Sequence, residues 1–141
     1  MTEFTFTLAS RPGVPNRNGI VYSQETFDKM YNSEFTQESL KSHTLVISDI
    51  SVVKGQDNYY RFMGTAYDYM GSVKEWDGTK VTADIIDGYS NIIKELQDQD
   101  RLELGMNYTC RLDKLRDGTT EAKAMKIHSF SLIDKQTKQF L

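Results

Sequence analysis

Two long strand-forming runs near the end of the chain, Arg101 to Leu112 and Glu121 to Ile133, constrain its fold more than any other feature. They are joined around Arg116-Asp117-Gly118, turn residues of the hairpin kind, so the two runs pair antiparallel. Earlier segments supply further strands. Phe4, Phe6 and Leu8 alternate with Glu3, Thr5 and Thr7, the period-2 pattern of a strand with one buried face. Thr44 to Val53, Tyr59 to Tyr69 and Lys80 to Ile86 are rich in β-branched and aromatic residues and predict three strands in a meander.

Helical periodicity is confined to short stretches. Ser23 is placed to cap a helix from Gln24 to Tyr31, in which Phe27, Met30 and Tyr31 recur at i, i+3 and i+4. The polar segment Glu34 to Ser42 adds one further helical turn. A second helix, Tyr89 to Gln97, carries Ile92, Ile93 and Leu96 on the face turned to the sheet. The expected fold is therefore α+β: a mostly antiparallel sheet of about six strands, curled toward a partly closed barrel, with two packed helices.

At 141 residues the chain has the length of one domain, and its last residues, 135–141, are polar enough to fray. A 38% hydrophobic and 26% charged composition is that of a folding chain. Its longest apolar runs, such as Leu45-Val46-Ile47, fall far short of the ~20 residues that span a membrane. The start of the chain shows neither the basic nor the apolar region of a secretory signal. One cysteine, Cys110, rules out an internal disulfide and fits a reducing compartment. The net charge of −3, with scattered Lys and Arg, gives no electrostatic basis for binding nucleic acid.

Few residues here can carry chemistry. His43, His128 and Cys110 lack the close-spaced partners of metal sites, so no metal or other cofactor is expected. A nucleophile pair could join His43 with Ser42, Ser129, Ser131 or Cys110, and nothing in the sequence selects among them. Cys110, on a strand, is expected to be a small buried hydrophobe. Asp84, Asp87, Asp98, Asp100 and Glu103 are expected to be solvated carboxylates. The binding candidates are the turn-rich loop, with Arg11, Arg17 and Asn18, and an aromatic face drawn from Tyr59, Tyr60, Tyr67, Tyr69 and Trp76.

Three segments resemble the prohead maturation proteases of tailed phages. Val14-Pro15-Asn16-Arg17-Asn18-Gly19-Ile20-Val21-Tyr22 is similar to their PNxNGxxY opening. Leu102-Glu103-Leu104-Gly105-Met106-Asn107-Tyr108-Thr109-Cys110 is similar to the ELSxGYxC strand. Lys126 to Asp134 resembles the closing I-x-x-F-S-L-V-D strand. The resemblance implies a nucleophilic serine on the second segment and a histidine base on an earlier strand. His43 stands where that base is expected, but Gly105 occupies the serine position. Of Met106, Asn107 and Thr109, only Thr109 has a hydroxyl, and it lies two strand repeats away, ~13 Å.

A scaffold without its nucleophile can be kept for binding. The resemblance thus implies a phage virion protein, an auxiliary or decoration component of the capsid on a catalytically inactive prohead-protease-like domain. It would assemble in the host cytoplasm with the major capsid protein or other virion subunits, or as a homo-oligomer. The alternatives are an active serine-type maturation protease, using His43 with Ser129 or Cys110, and an assembly-stage pseudoprotease.

Overall fold

The closing hairpin forms and becomes the spine of the sheet in a computed structural model, which describes residues 1–16, 18–49, 52–54, 60–62 and 67–137. In chain order the elements are β1 (Thr2–Thr7), β2 (Ile20–Val21), α1 (Gln24–Tyr31), α2 (Glu34–Lys41), β3 (Val46–Asp49) and β4 (Val52–Lys54). There follow β5 (Tyr60–Phe62), β6 (Tyr67–Trp76), β7 (Lys80–Ile85), α3 (Asp87–Asp98), β8 (Leu102–Lys114) and β9 (Thr120–Asp134). The architecture is α+β, with three helices among the described residues and a seven-stranded, mostly antiparallel sheet.

The sheet runs β1-β7-β6-β3-β9, and β8 lies along the other edge of β9. Its parallel pairs both involve β9: β3 joins it at Val46–Ser129 and β2 at Ile20–Thr120. β3, β6 and β7 form a meander, but with other bounds than expected: Thr44 to Val53 divides into β3 and β4, and the middle strand is β6, which runs on from Tyr67 to Trp76, with β4 and β5 set apart as a two-stranded sheet. The open edges, β1 and β8, come together at a parallel bridge between Leu8 and Leu104, so the sheet curls into a barrel-like shape held there by that contact.

Local signals explain the helices. Ser23 Oγ accepts from Thr26 N–H and caps α1 where the sequence places it. The segment after it, expected to give one turn, is a full eight-residue helix. Ser33 repeats the cap on Thr36 N–H, and Thr36 is buried because its hydroxyl donates to Met30 C=O at 2.7 Å. On α3 the buried stripe is Tyr89, Ile93 and Leu96, whereas Ile92 is 47% exposed, contrary to expectation. The i, i+4, i+7 spacing outweighs the pairing of neighbours Ile92 and Ile93.

The core gathers between the concave face of the sheet and α1. Trp76 sits at its centre, edge-on to Phe27, Tyr31 and Phe130 at 5.9, 5.0 and 5.1 Å between ring centroids. At the far end, Arg101 donates to Asp134 through Nη2 at 2.6 Å and Nε at 3.3 Å, clamping the start of β8 to the end of β9. These hydrogen bonds hold the Asp134 carboxyl below its usual range.

Candidate functional site

Along β8, residues Gly105, Asn107 and Thr109 are two apart and share one face. Their partners on β9 are Ser131 for Gly105 and Ser129 for Asn107. The β3 register, Val46 with Ser129 and Ile47 with Phe130, brings Ser48 beside Ser131. Gly105, Ser131 and Ser48 thus form one row across three strands.

Hydrogen bonds lock this face. Asn107 Nδ2 donates to Ser129 Oγ at 2.9 Å and to Ser131 Oγ at 2.6 Å, and Ser131 Oγ donates to the Ser48 carbonyl at 2.9 Å. All four residues are buried. Ser48 Oγ has no hydrogen-bond partner among the described residues. A serine becomes a nucleophile when a base stands within hydrogen-bond reach of it. Among the described residues the partners of the Ser129 and Ser131 hydroxyls are an amide and a carbonyl, neither of which takes a proton at neutral pH.

Gly105 is not imposed by the fold. A Cβ added there would meet only the tip of Ile133, Cδ1 at 3.5 Å, an ordinary contact. Gly71 is the opposite case, since a Cβ there would collide with the main-chain carbonyl of Asp84 on the paired strand. A Cβ therefore has room at position 105, and the glycine there carries none.

The histidines lie elsewhere. His43 follows α2 in a left-handed turn, φ 55°, exposed, with Nδ1 3.4 Å from Val73 C=O. It precedes Ser48, the β3 residue in the Gly105 row, by five positions and lies outside β3 itself. His128 is the extra residue of a bulge in β9, where the pairing steps from Asn107–Ser129 to Tyr108–Ile127. The bulge brings its Nε2 to 3.0 Å from Thr109 Oγ1, a hydroxyl–imidazole pair that sequence spacing did not reveal. Burial, with the Lys126 charge next, holds His128 below its ordinary pKa, so the ring is neutral at pH 7. Phe35 of α2 lies beside this ring, with the Lys126 ammonium 4.1 Å from the Phe35 centroid.

Cys110 is buried and desolvation pushes its thiol up to about 11, so it is protonated and unreactive at neutral pH. Among the described residues no three His, Cys, Asp or Glu side chains converge as metal ligands, and no helix is long and apolar enough to cross a membrane.

Superposition on solved structures decides what this framework is like. It shares its fold with the bacteriophage T4 capsid assembly protease. The match covers 90% of this chain and 77% of that one, with a TM-score of 0.65 at 11% sequence identity. No protein-family model matches the sequence, and no curated protein does. The fold expected from the three sequence segments is thus shared with a phage capsid assembly protease.

The binding candidates divide. Trp76, only 4% exposed, is a core residue and not part of an aromatic surface, because its strand turns that position onto α1. Tyr69 is 43% exposed and its hydroxyl is hydrogen-bonded to Ser72. Arg17 and Tyr59 lie outside the described residues, and Tyr60 and Tyr67 are placed on β5 and β6 by their main chain only. Arg11 and Asn18 are exposed on a loop fixed from within: Asn16 Oδ1 accepts from the N–H groups of Asn18 at 2.9 Å and Ile20 at 3.1 Å.

Proposed function

We propose that this chain is a phage virion protein, an auxiliary or decoration component of the capsid built on a proteolytically silent domain of the capsid-protease fold. The observation that carries this reading is the Gly105 row. The position matching the family's nucleophile has room for a Cβ yet holds a glycine, and its neighbours Ser131 and Ser48 offer it no base. With catalysis absent, the domain acts by binding, and its partners are the major capsid protein or neighbouring virion subunits. Quantitative mass spectrometry of purified mature particles tests this. The full-length chain is expected at a fixed ratio to the major capsid protein; its absence, or its presence only as trace fragments, would place it in assembly and sink the decoration role.

A second reading, an active hydrolase, has one specific observation behind it: the Thr109 hydroxyl lies 3.0 Å from the neutral His128 ring. Under that reading a hydroxyl-reactive fluorophosphonate labels the protein, and Thr109→Val and His128→Gln each abolish the label. The silent domain takes up no label at all.

A further inference from the structure

The seam where the sheet closes has a structure of its own. Leu8 N–H donates to Thr79 C=O of the β7 side, whereas Ala9 N–H donates across the seam to Leu104 C=O at 3.0 Å. Main-chain groups alternate direction along a strand, so the odd-numbered residues of β1 aim theirs at β8. Thr5 and Thr7 therefore present N–H groups to the seam, and Leu102 presents its own from the other side. Beyond the Leu8–Leu104 bridge the two edges part and leave a cleft of about 430 Å³. That volume lies within the ~300–1,000 Å³ of ordinary ligand clefts.

Two side chains show what such a cleft takes. Gln97, on α3, donates its Nε2 amide to Thr5 C=O at 3.1 Å, so a side-chain amide occupies the place of a peptide N–H on the β1 edge. Glu103 lines the same cleft and has no ion-pair partner among the described residues, while Lys135 at the mouth is tied to Asp100 at 3.2 Å. The cleft is left with an uncompensated negative charge.

We propose that the β1–β8 seam is a docking site for an extended segment of a partner protein, which adds as a strand in place of the Gln97 amide and sets a Lys or Arg over Glu103. Strand edges bind through their main chain, and side-chain pockets supply selectivity. From Thr5 to the bridge at Leu8 the open stretch is ~10 Å long, enough for about three extended residues. The inference goes beyond the capsid reading and stands or falls separately from it.

The test uses the full chain and two pools of fluorescein-labelled, end-blocked hexapeptides that alternate Val or Ile with Thr. One pool has Arg at the third position and the other Glu. Fluorescence anisotropy is expected to show the Arg pool binding about tenfold tighter than the Glu pool. Glu103→Lys reverses that preference. Thr7→Pro removes an N–H that faces the seam and not the β7 ladder, so it weakens binding roughly fivefold while circular dichroism is unchanged. Gln97→Ala, which frees Thr5 C=O, tightens binding by about threefold. The proposal is overturned if neither pool binds, or if Glu103→Lys leaves the preference unaltered. It is equally overturned if sedimentation shows a dimer that Thr7→Pro dissociates, since the occupant is then a second copy.

Discussion

The two faces of the β8–β9 ribbon are both buried but are made of different material. One carries Leu104, Ile127, Phe130 and Leu132 into the core against Trp76 and α1. The other carries Gly105, Asn107, Ser129 and Ser131, a closed circuit of amide and hydroxyl groups. Apolar burial stabilises in proportion to the area withdrawn from water, whatever the detailed geometry. A buried polar circuit contributes little net energy but becomes costly when one partner is lost. The first face sets how stable the domain is, and the second sets which arrangement of strands is tolerated.

Mutations can break this contrast from the apolar side first. Phe130→Ala, at a fully buried ring, is expected to cost about 3–5 kcal/mol in urea unfolding. Asn107→Ala removes the donor to both serines and is expected to cost roughly 1–3 kcal/mol. Combining it with Ser129→Ala should recover part of that loss, because the Ser129 hydroxyl is then no longer stranded, while Ser131 is kept for its hydrogen bond to the Ser48 carbonyl. If the double variant is as unstable as the sum of its parts, the circuit is not a unit.

A pH series sharpens the comparison at a smaller scale. His128 has a lowered pKa in the folded chain, so the unfolded chain binds its proton first as pH falls. Stability is complete above about pH 6.5, the unfolded value, and declines as pH drops below it. His128→Gln should flatten that part of the profile. Gly105→Ser should have the smallest effect, within about 0.5 kcal/mol, because its Cβ meets only Ile133 Cδ1. A large loss there would mean that the face has no room for a nucleophile.

Sequence reasoning reached the framework because strong local signals agree with it. The Ser23 cap, the alternation in β1 and the turn at Gly118 each act within a few residues, and each element stands where they put it. The sequence signals only a single turn at α2, because the one fully buried residue there is a threonine, whose burial depends on the Met30 carbonyl six positions back. The site was harder to read. The bulge at His128 and the left-handed Ala124, φ 52°, insert residues into β9 and shift its faces, which no period-2 template detects. Gly105 could be singled out by resemblance, but Ser48 joins its row only through a parallel pairing across some eighty positions of chain, and Trp76 enters the core through contacts about fifty positions away.

The placement of β9 governs the order in which the domain can be assembled. It lies between β8 on one side and β2 and β3 on the other, yet it is synthesised after all of them. Until residues 120–134 leave the ribosome, the β9-facing edge of β3 has nothing to pair with and Trp76 has no Phe130 to close upon. Folding therefore waits for the final hairpin, and a nascent chain stalled before it would expose an adhesive edge.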